Sequence, residues 1–211
     1  TKFLQVTHSQ NNRILVASIS SLEYLIILSF KHNMIHNLTD LMFMNTWRMT
    51  RLTLHNNSIY YIHGAAFNGL PHLAHLDISD NPIMDLHEII FTRLHKLLHL
   101  NLSNTSITYI PDGMFTNNSN LLNLDFSYSC LGTLNEMSLI GLESVNAFWL
   151  SHTHVQLYLF ADLNMKSRLP ALKKLSVVHA EVCCLVPGVQ CVSDIVMKHD
   201  GIGTCSDIIA H

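Results

Sequence analysis

Apolar and polar positions repeat along this chain with a fixed period. Aligned in register, it reads LIILSFKHNMI from Leu25, MTRLTLHNNSI from Met49 and LAHLDISDNPI from Leu73. It continues with LLHLNLSNTSI from Leu97, LLNLDFSYSCL from Leu121, VNAFWLSHTHV from Val145 and LKKLSVVHAEV from Leu172. The starts lie 24 residues apart five times in succession, then 27 apart. Within each block the alternation has period two, which predicts a short strand whose fourth and sixth residues, such as Leu76 and Ile78, face inward. The ninth residue, Asn33, Asn57 or Asn81, sits where the chain turns and can hydrogen-bond the backbone of the neighbouring coil. Later blocks place Thr105, Ser129, Thr153 and Ala180 there, so this ladder weakens toward the C-terminus. On the returning side Phe43, Phe67, Phe91 and Phe115 recur at one position and predict a stacked aromatic spine. One block cannot bury these residues alone, whereas stacked neighbours can. At least six parallel strands are expected, with Leu52, Leu76, Leu100 and Leu124 buried in one column.

The spacing resembles the leucine-rich-repeat pattern LxxLxLxxNxL, and the resemblance spans nearly the whole chain. It implies an α/β fold, a curved horseshoe-shaped solenoid with a parallel sheet on its concave face and an irregular or short-helical convex side. Residues 1–182 form the array of about eight repeats, the first degenerate with Leu4, Val6, Ile14, Ile19 and Leu22 inward. Residues 183–211 form a cysteine-containing cap or hinge. No cysteine-bearing cap precedes the array, and Thr1 opens neither on Met nor on a signal peptide. The sequence therefore reads as an excerpt that begins inside the array.

Strand residues at the second, third, fifth, seventh and eighth positions are expected on the concave face. The third-position column reads Ile27, Arg51, His75, His99, Asn123, Ala147, Lys174. The fifth reads Ser29, Thr53, Asp77, Asn101, Asp125, Trp149, Ser176. Arg51, His75, Asp77, His99, Asp125, Tyr128 and Trp149 are the expected ligand-binding residues, with Asp80 a further anchor. Aromatics flanked by charge suit a polypeptide ligand. His75 and His99 occupy adjacent strands about 5 Å apart, but no zinc-ligand spacing appears, so solvated histidines are expected rather than a metal site.

Five N-x-S/T sequons, at Asn37, Asn56, Asn101, Asn104 and Asn117, imply passage through the secretory pathway. Asn37 and Asn117 are expected outside the strands and at least one of them glycosylated, with Asn56 and Asn104 as further acceptors. A glycan on Asn101 or Asn104 would close part of the face to a large ligand. The net charge of −3 excludes a basic nucleic-acid footprint. The most apolar stretch, ILVASISSLEYLIILSF from Ile14, is interrupted by Glu23 and several serines and is no membrane span. No nucleophile elbow, phosphate loop, dinucleotide fingerprint or HExxH motif occurs, so neither enzyme activity nor a cofactor is expected.

The period stops where the cysteines begin, at Cys183, Cys184, Cys191 and Cys205. A solenoid end exposes an apolar cross-section, and a disulfide-stapled cap covers it in an oxidising compartment. Four cysteines allow three connectivities. Adjacent Cys183 and Cys184 are strained partners for each other, which leaves two. Cys130, just past the turn of its repeat, is expected as a buried free thiol.

VCCLVPGVQC from Val182, followed by DGIGTCSDIIAH from Asp200, resembles the hinge of leucine-rich-repeat G-protein-coupled receptors, closest to the relaxin-receptor type and its invertebrate relatives. Cys183, Pro187, Val189, Cys191, Asp200, Gly201, Ile202, Asp207, Ile208, Ile209 and Ala210 fit that hinge pattern. The adjacent cysteine pair and CSDII are similar to glycoprotein-hormone receptors. Matched on Pro187, the resemblance implies a Cys183–Cys191 bridge, and the two extra cysteines then imply Cys184–Cys205. It further implies the extracellular side of the plasma membrane, a polypeptide hormone or other protein ligand, and a seven-helix membrane domain beyond His211 that couples to a G protein. Relaxin receptors hold hormone arginines with paired acidic residues; this chain places His75 with Asp77 and Asn123 with Asp125 there instead. Adhesion or innate recognition through a single membrane span is the alternative, and an intracellular scaffold is disfavoured by the sequons and cysteines.

Overall fold

The computed structural model describes residues 1–7, 19, 21–40, 42–155, 165–179, 182–183, 186 and 188–195. Among them a nine-stranded, wholly parallel sheet runs the length of the molecule. Its early strands are β1 (Phe3–Gln5), β2 (Ile27–Ser29), β4 (Arg51–Thr53), β6 (His75–Asp77) and β7 (His99–Asn101). It continues through β8 (Asn123–Asp125), β9 (Ala147–Trp149), β10 (Lys174–His179) and β11 (Gln190–Ile195). Two short strands, β3 (Asn37–Leu38) and β5 (Tyr61–Ile62), pair separately on the return path. Among the described residues the helical elements include a 3-10 turn at Met137–Leu139 and one α-turn at Met165–Arg168.

The repeat sets the register. Leu4, Leu28, Leu52, Leu76, Leu100, Leu124, Phe148, Leu175 and Cys191 are Cα partners in one continuous row. Leu52 and Leu124 are fully buried, and Leu76 and Leu100 are 2% exposed, as the alternation requires. Most strands stop after three residues because the eighth position of six blocks adopts left-handed backbone, from His32 (φ 56°) through Asn56, Asp80, Asn104 and Tyr128 to His152 (φ 54°). Asn and Asp tolerate that region through local hydrogen bonds; His and Tyr enter it under the constraint of the stack.

The asparagine ladder forms and then fades. Asn57 Nδ2 donates to Phe30 O (2.7 Å) one coil back and to Leu54 O (2.8 Å) in its own coil, while Oδ1 accepts from Ile35 N. Asn81 repeats this with Leu54 O, Ile78 O and Ile59 N, and Asn33 reaches Val6 O at 2.8 Å. Thr105 and Thr153 bond only a carbonyl of their own coil, Leu102 O and Leu150 O. On the far side Phe43, Phe67, Phe91 and Phe115 stack with centroids 6.2, 6.3 and 5.9 Å apart, all wholly buried. Gly141 closes one such return: a Cβ there would lie 1.9 Å from Phe115 O.

At the C-terminal end Cys183 and Cys191 are bridged, and both pack partly buried on the core beside Val182 and Val186. The sheet continues beyond residue 182, since β11 adds a strand from within the segment expected as cap. Cys184, Pro187 and Cys205 lie outside the described residues, as do Ile14 and residues 196–211. Two expectations need correction. Cys130 is exposed, because it follows the left-handed turn and only Leu131 after it returns to the core. Asn37 is not outside strands; it opens β3, where it remains exposed.

Asn81→Ala removes donors to carbonyls of two coils and strands the Ile59 N–H. Urea unfolding should register a loss of about 2–4 kcal/mol for it, against about 1 kcal/mol for Thr105→Ala. Equal losses would show that the cross-coil bonds contribute nothing.

Candidate functional site

Each coil offers the sheet face only two outward residues, at its third and fifth positions, so the face is built of columns rather than loops. The columns converge on one depression of about 490 Å³. Arg51, His75, Asp77, His99, Asp125 and Trp149 all line it, joined by Lys31 and Asn123. Six of the seven expected ligand-binding residues thus come together.

In the third-position column the rings of His75 and His99 stack face to face, 4.5 Å between centroids and 6° from parallel. The side-chain amide of Asn123 stands 2.5 Å from His99 Nδ1. Its nitrogen can donate to a neutral ring, and after an amide flip its oxygen can accept from a protonated one. Burial lowers the His75 pKa below its ordinary value, with His99 and then Arg51 adding to the effect. His99 is lowered by burial first and by Arg51 second. Both effects favour the neutral ring at pH 7.

The fifth-position column does a second job. Asp77 Oδ1 accepts from Ser79 N (3.2 Å) and Ser79 Oγ (2.6 Å), Asn101 Oδ1 from Ser103 N (3.0 Å), and Asp125 Oδ1 from Ser127 N (2.8 Å). These contacts cap the backbone as it leaves each strand. Burial raises the Asp125 pKa; the Ser127 hydrogen bonds pull it back, and the Asp77 charge pushes it up again.

Tyr128 stands apart from the group. Its left-handed backbone (φ 61°) swings it to the edge of the sheet, where its ring stacks on His152 at 4.4 Å. Asp80 is on that edge too, accepting from Asn104 Nδ2 at 2.5 Å and facing His55 Nδ1 at 2.8 Å. Second-position residues such as Thr50, Ala74 and Leu98 line the opposite margin. The face is thus narrower than the alternation alone implies. Lys31, a seventh-position residue, was legible as part of the concave face, and it alone of its column lines the depression. Among the described residues no group of three or more His, Cys, Asp or Glu is placed to hold a metal. Asn37, Asn56, Asn104 and Asn117 are exposed, whereas Asn101 is half-buried with its amide oxygen engaged.

A family model described as leucine rich repeat matches residues 47–107 and 97–155, which together span half the chain. No curated protein matches the sequence significantly. Among solved structures, the chain is similar to the leucine-rich-repeat protein LIC12759 of Leptospira interrogans (TM-score 0.75, 17% identity), over 90% of this chain and 47% of that one. It is also similar to an internalin, InlF, of Listeria monocytogenes (TM-score 0.64, 15% identity), over 90% and 59%. The chain spans about half the length of these structures, and at such identities they show the fold alone. Leucine-rich-repeat proteins are typically non-enzymatic binding scaffolds, and no catalytic family is indicated.

The electrostatics predict that both imidazoles titrate below 6.5, seen by NMR of the ring carbons. Arg51→Ala should move both midpoints upward without carrying them past the ordinary value, because burial is the larger cause. A midpoint unchanged at both rings would remove Arg51 from the site.

Proposed function

Because the chain belongs to the leucine-rich-repeat family, we propose that its sheet face binds a polypeptide and that it forms the extracellular, ligand-binding part of a G-protein-coupled hormone receptor. The convergence of cations, carboxylates and Trp149 on one open depression carries the first half of this reading. Interfaces of that composition anchor a polypeptide through one aromatic and a few directed charges rather than through an enclosed apolar pocket.

The receptor half is supported by the C-terminal segment. The Cys183–Cys191 bridge ties the chain after β10 to β11, so whatever follows β11 is joined to the array through a covalent link. In this reading a second bridge, Cys184–Cys205, joins the array to the stretch entering the membrane, and ligand on the face shifts that stretch. Glycans on exposed Asn37, Asn56, Asn104 and Asn117 belong to the same assignment and to the extracellular side of the plasma membrane. None of these residues lines the depression, and Asn104 stands on the sheet edge beside it.

The test is made in animal cells that display the full-length protein and report second messenger. Glycosidase treatment should lower its mass. Arg51→Ala combined with Trp149→Ala should raise the half-maximal concentration of an activating polypeptide at least about tenfold, the loss of about 1.4 kcal/mol or more, at unchanged surface amount. A response indifferent to both substitutions would move the ligand off this face.

A further inference from the structure

Resting on the reading of the sheet face as a polypeptide site, we propose that its third-position column is an anion anchor. Arg51 and the stacked rings of His75 and His99 receive an acidic side chain of the ligand, and hold it more tightly as the pH falls.

The geometry supplies the anchor. Arg51, His75 and His99 are successive Cα partners on β4, β6 and β7, which sets three donors in a row across about 10 Å. Arg51 is exposed and forms no ion pair among the described residues, so its guanidinium is available to a ligand. The carboxylates nearest the rings, Asp77 and Asp125, stand two residues further along their strands, about 7 Å away. Each already has one oxygen on the N–H of its own turn.

Charge then sets the sign of the pH response. The charged groups lining the depression are Lys31 and Arg51 against Asp77 and Asp125, a neutral balance while both rings are uncharged. Protonating His75 and His99 leaves two unbalanced positive charges. Arg51 resists that protonation, and a ligand carboxylate laid across the column cancels the resistance. Binding an anion and taking up protons therefore promote each other, as linkage requires. The lowered pKa values of both rings put the response below the ordinary histidine range, in the acidic direction from pH 7. A cationic segment would respond with the opposite sign.

The test uses an N-acetylated hexaglutamate peptide as the probe, followed through the His75 and His99 ring resonances of the whole chain. With histidines neutral its overall charge of −3 disfavours diffuse attraction of such a peptide near pH 7, and at acidic pH the His75 and His99 double variant, which keeps the other histidines, separates the local site from general charge. Acidification from about pH 7.5 to about pH 5.5 should tighten binding at least about tenfold. Arg51→Ala should weaken it at least about tenfold at both pH values, and His75→Gln with His99→Gln, followed through the indole resonance of Trp149 in the same depression, should abolish the tightening on acidification. Hexalysine moving the same resonances instead would overturn the anchor yet leave a polypeptide site in place. Tighter binding of a sulfated hexasaccharide than of the peptide, or no perturbation by any probe, would also overturn it. The cellular response of the Arg51 and Trp149 variants judges the face itself independently.

Discussion

No coil of this molecule can satisfy its own interior. The amide of Asn57 holds one carbonyl of its own turn and one of the preceding coil, Leu54 O and Phe30 O, and Asn81 does the same one step on. The four stacked phenylalanines are likewise wholly buried, each covered by at least one neighbouring ring. Stability in such an array is a sum over neighbouring contacts, so both ends need a partner. At the C-terminal end β11 and the Cys183–Cys191 bridge provide it.

The same dependence dictates where chemistry can reside. A strand of three residues, flanked by a buried sixth position and a left-handed eighth, leaves two outward side chains per coil. Residues at equivalent positions are then brought within about 5 Å of one another whatever their charge. That is why two histidines stack and why Arg51 depresses both. The fifth-position carboxylates meet a second demand, capping the turn with one oxygen while the same side chains line the depression. Asp77 and Asp125 thus cannot be read as ligand contacts alone: their replacement would loosen the strand exits as well.

Most of the fold was legible because period and register are one-dimensional properties. The inward leucines, the phenylalanine spine and the fading of the ladder at Thr105 and Thr153 all follow from counting along the chain. The depression on the sheet face was legible to the extent that it follows the columns, which hold six of the seven residues expected there. Tyr128 was misplaced because the alternation of a strand says nothing about where the strand ends; the positive φ at the eighth position decides that. Histidine and tyrosine there carry none of the glycine or asparagine signal that marks such turns. Cys130, just past the turn of its repeat, was expected to be buried, yet one residue separates the solvent side of that turn from the buried Leu131. Asn118 escaped notice altogether. Fully buried, it donates to Phe91 O and Leu94 O at 3.0 Å and links two returns of the spine, at a column position where Leu70 and Leu94 stand in earlier coils.

The central claim is that the ligand meets the columns of the sheet. A photoreactive residue placed at Asn123, on that face, and separately at Asn117, exposed on the return of the preceding coil, compares the two surfaces within 6 residues of sequence. Crosslinking on cells responding to an activating polypeptide should capture that polypeptide from position 123 and none from 117. Capture from 117 with none from 123 would contradict the account.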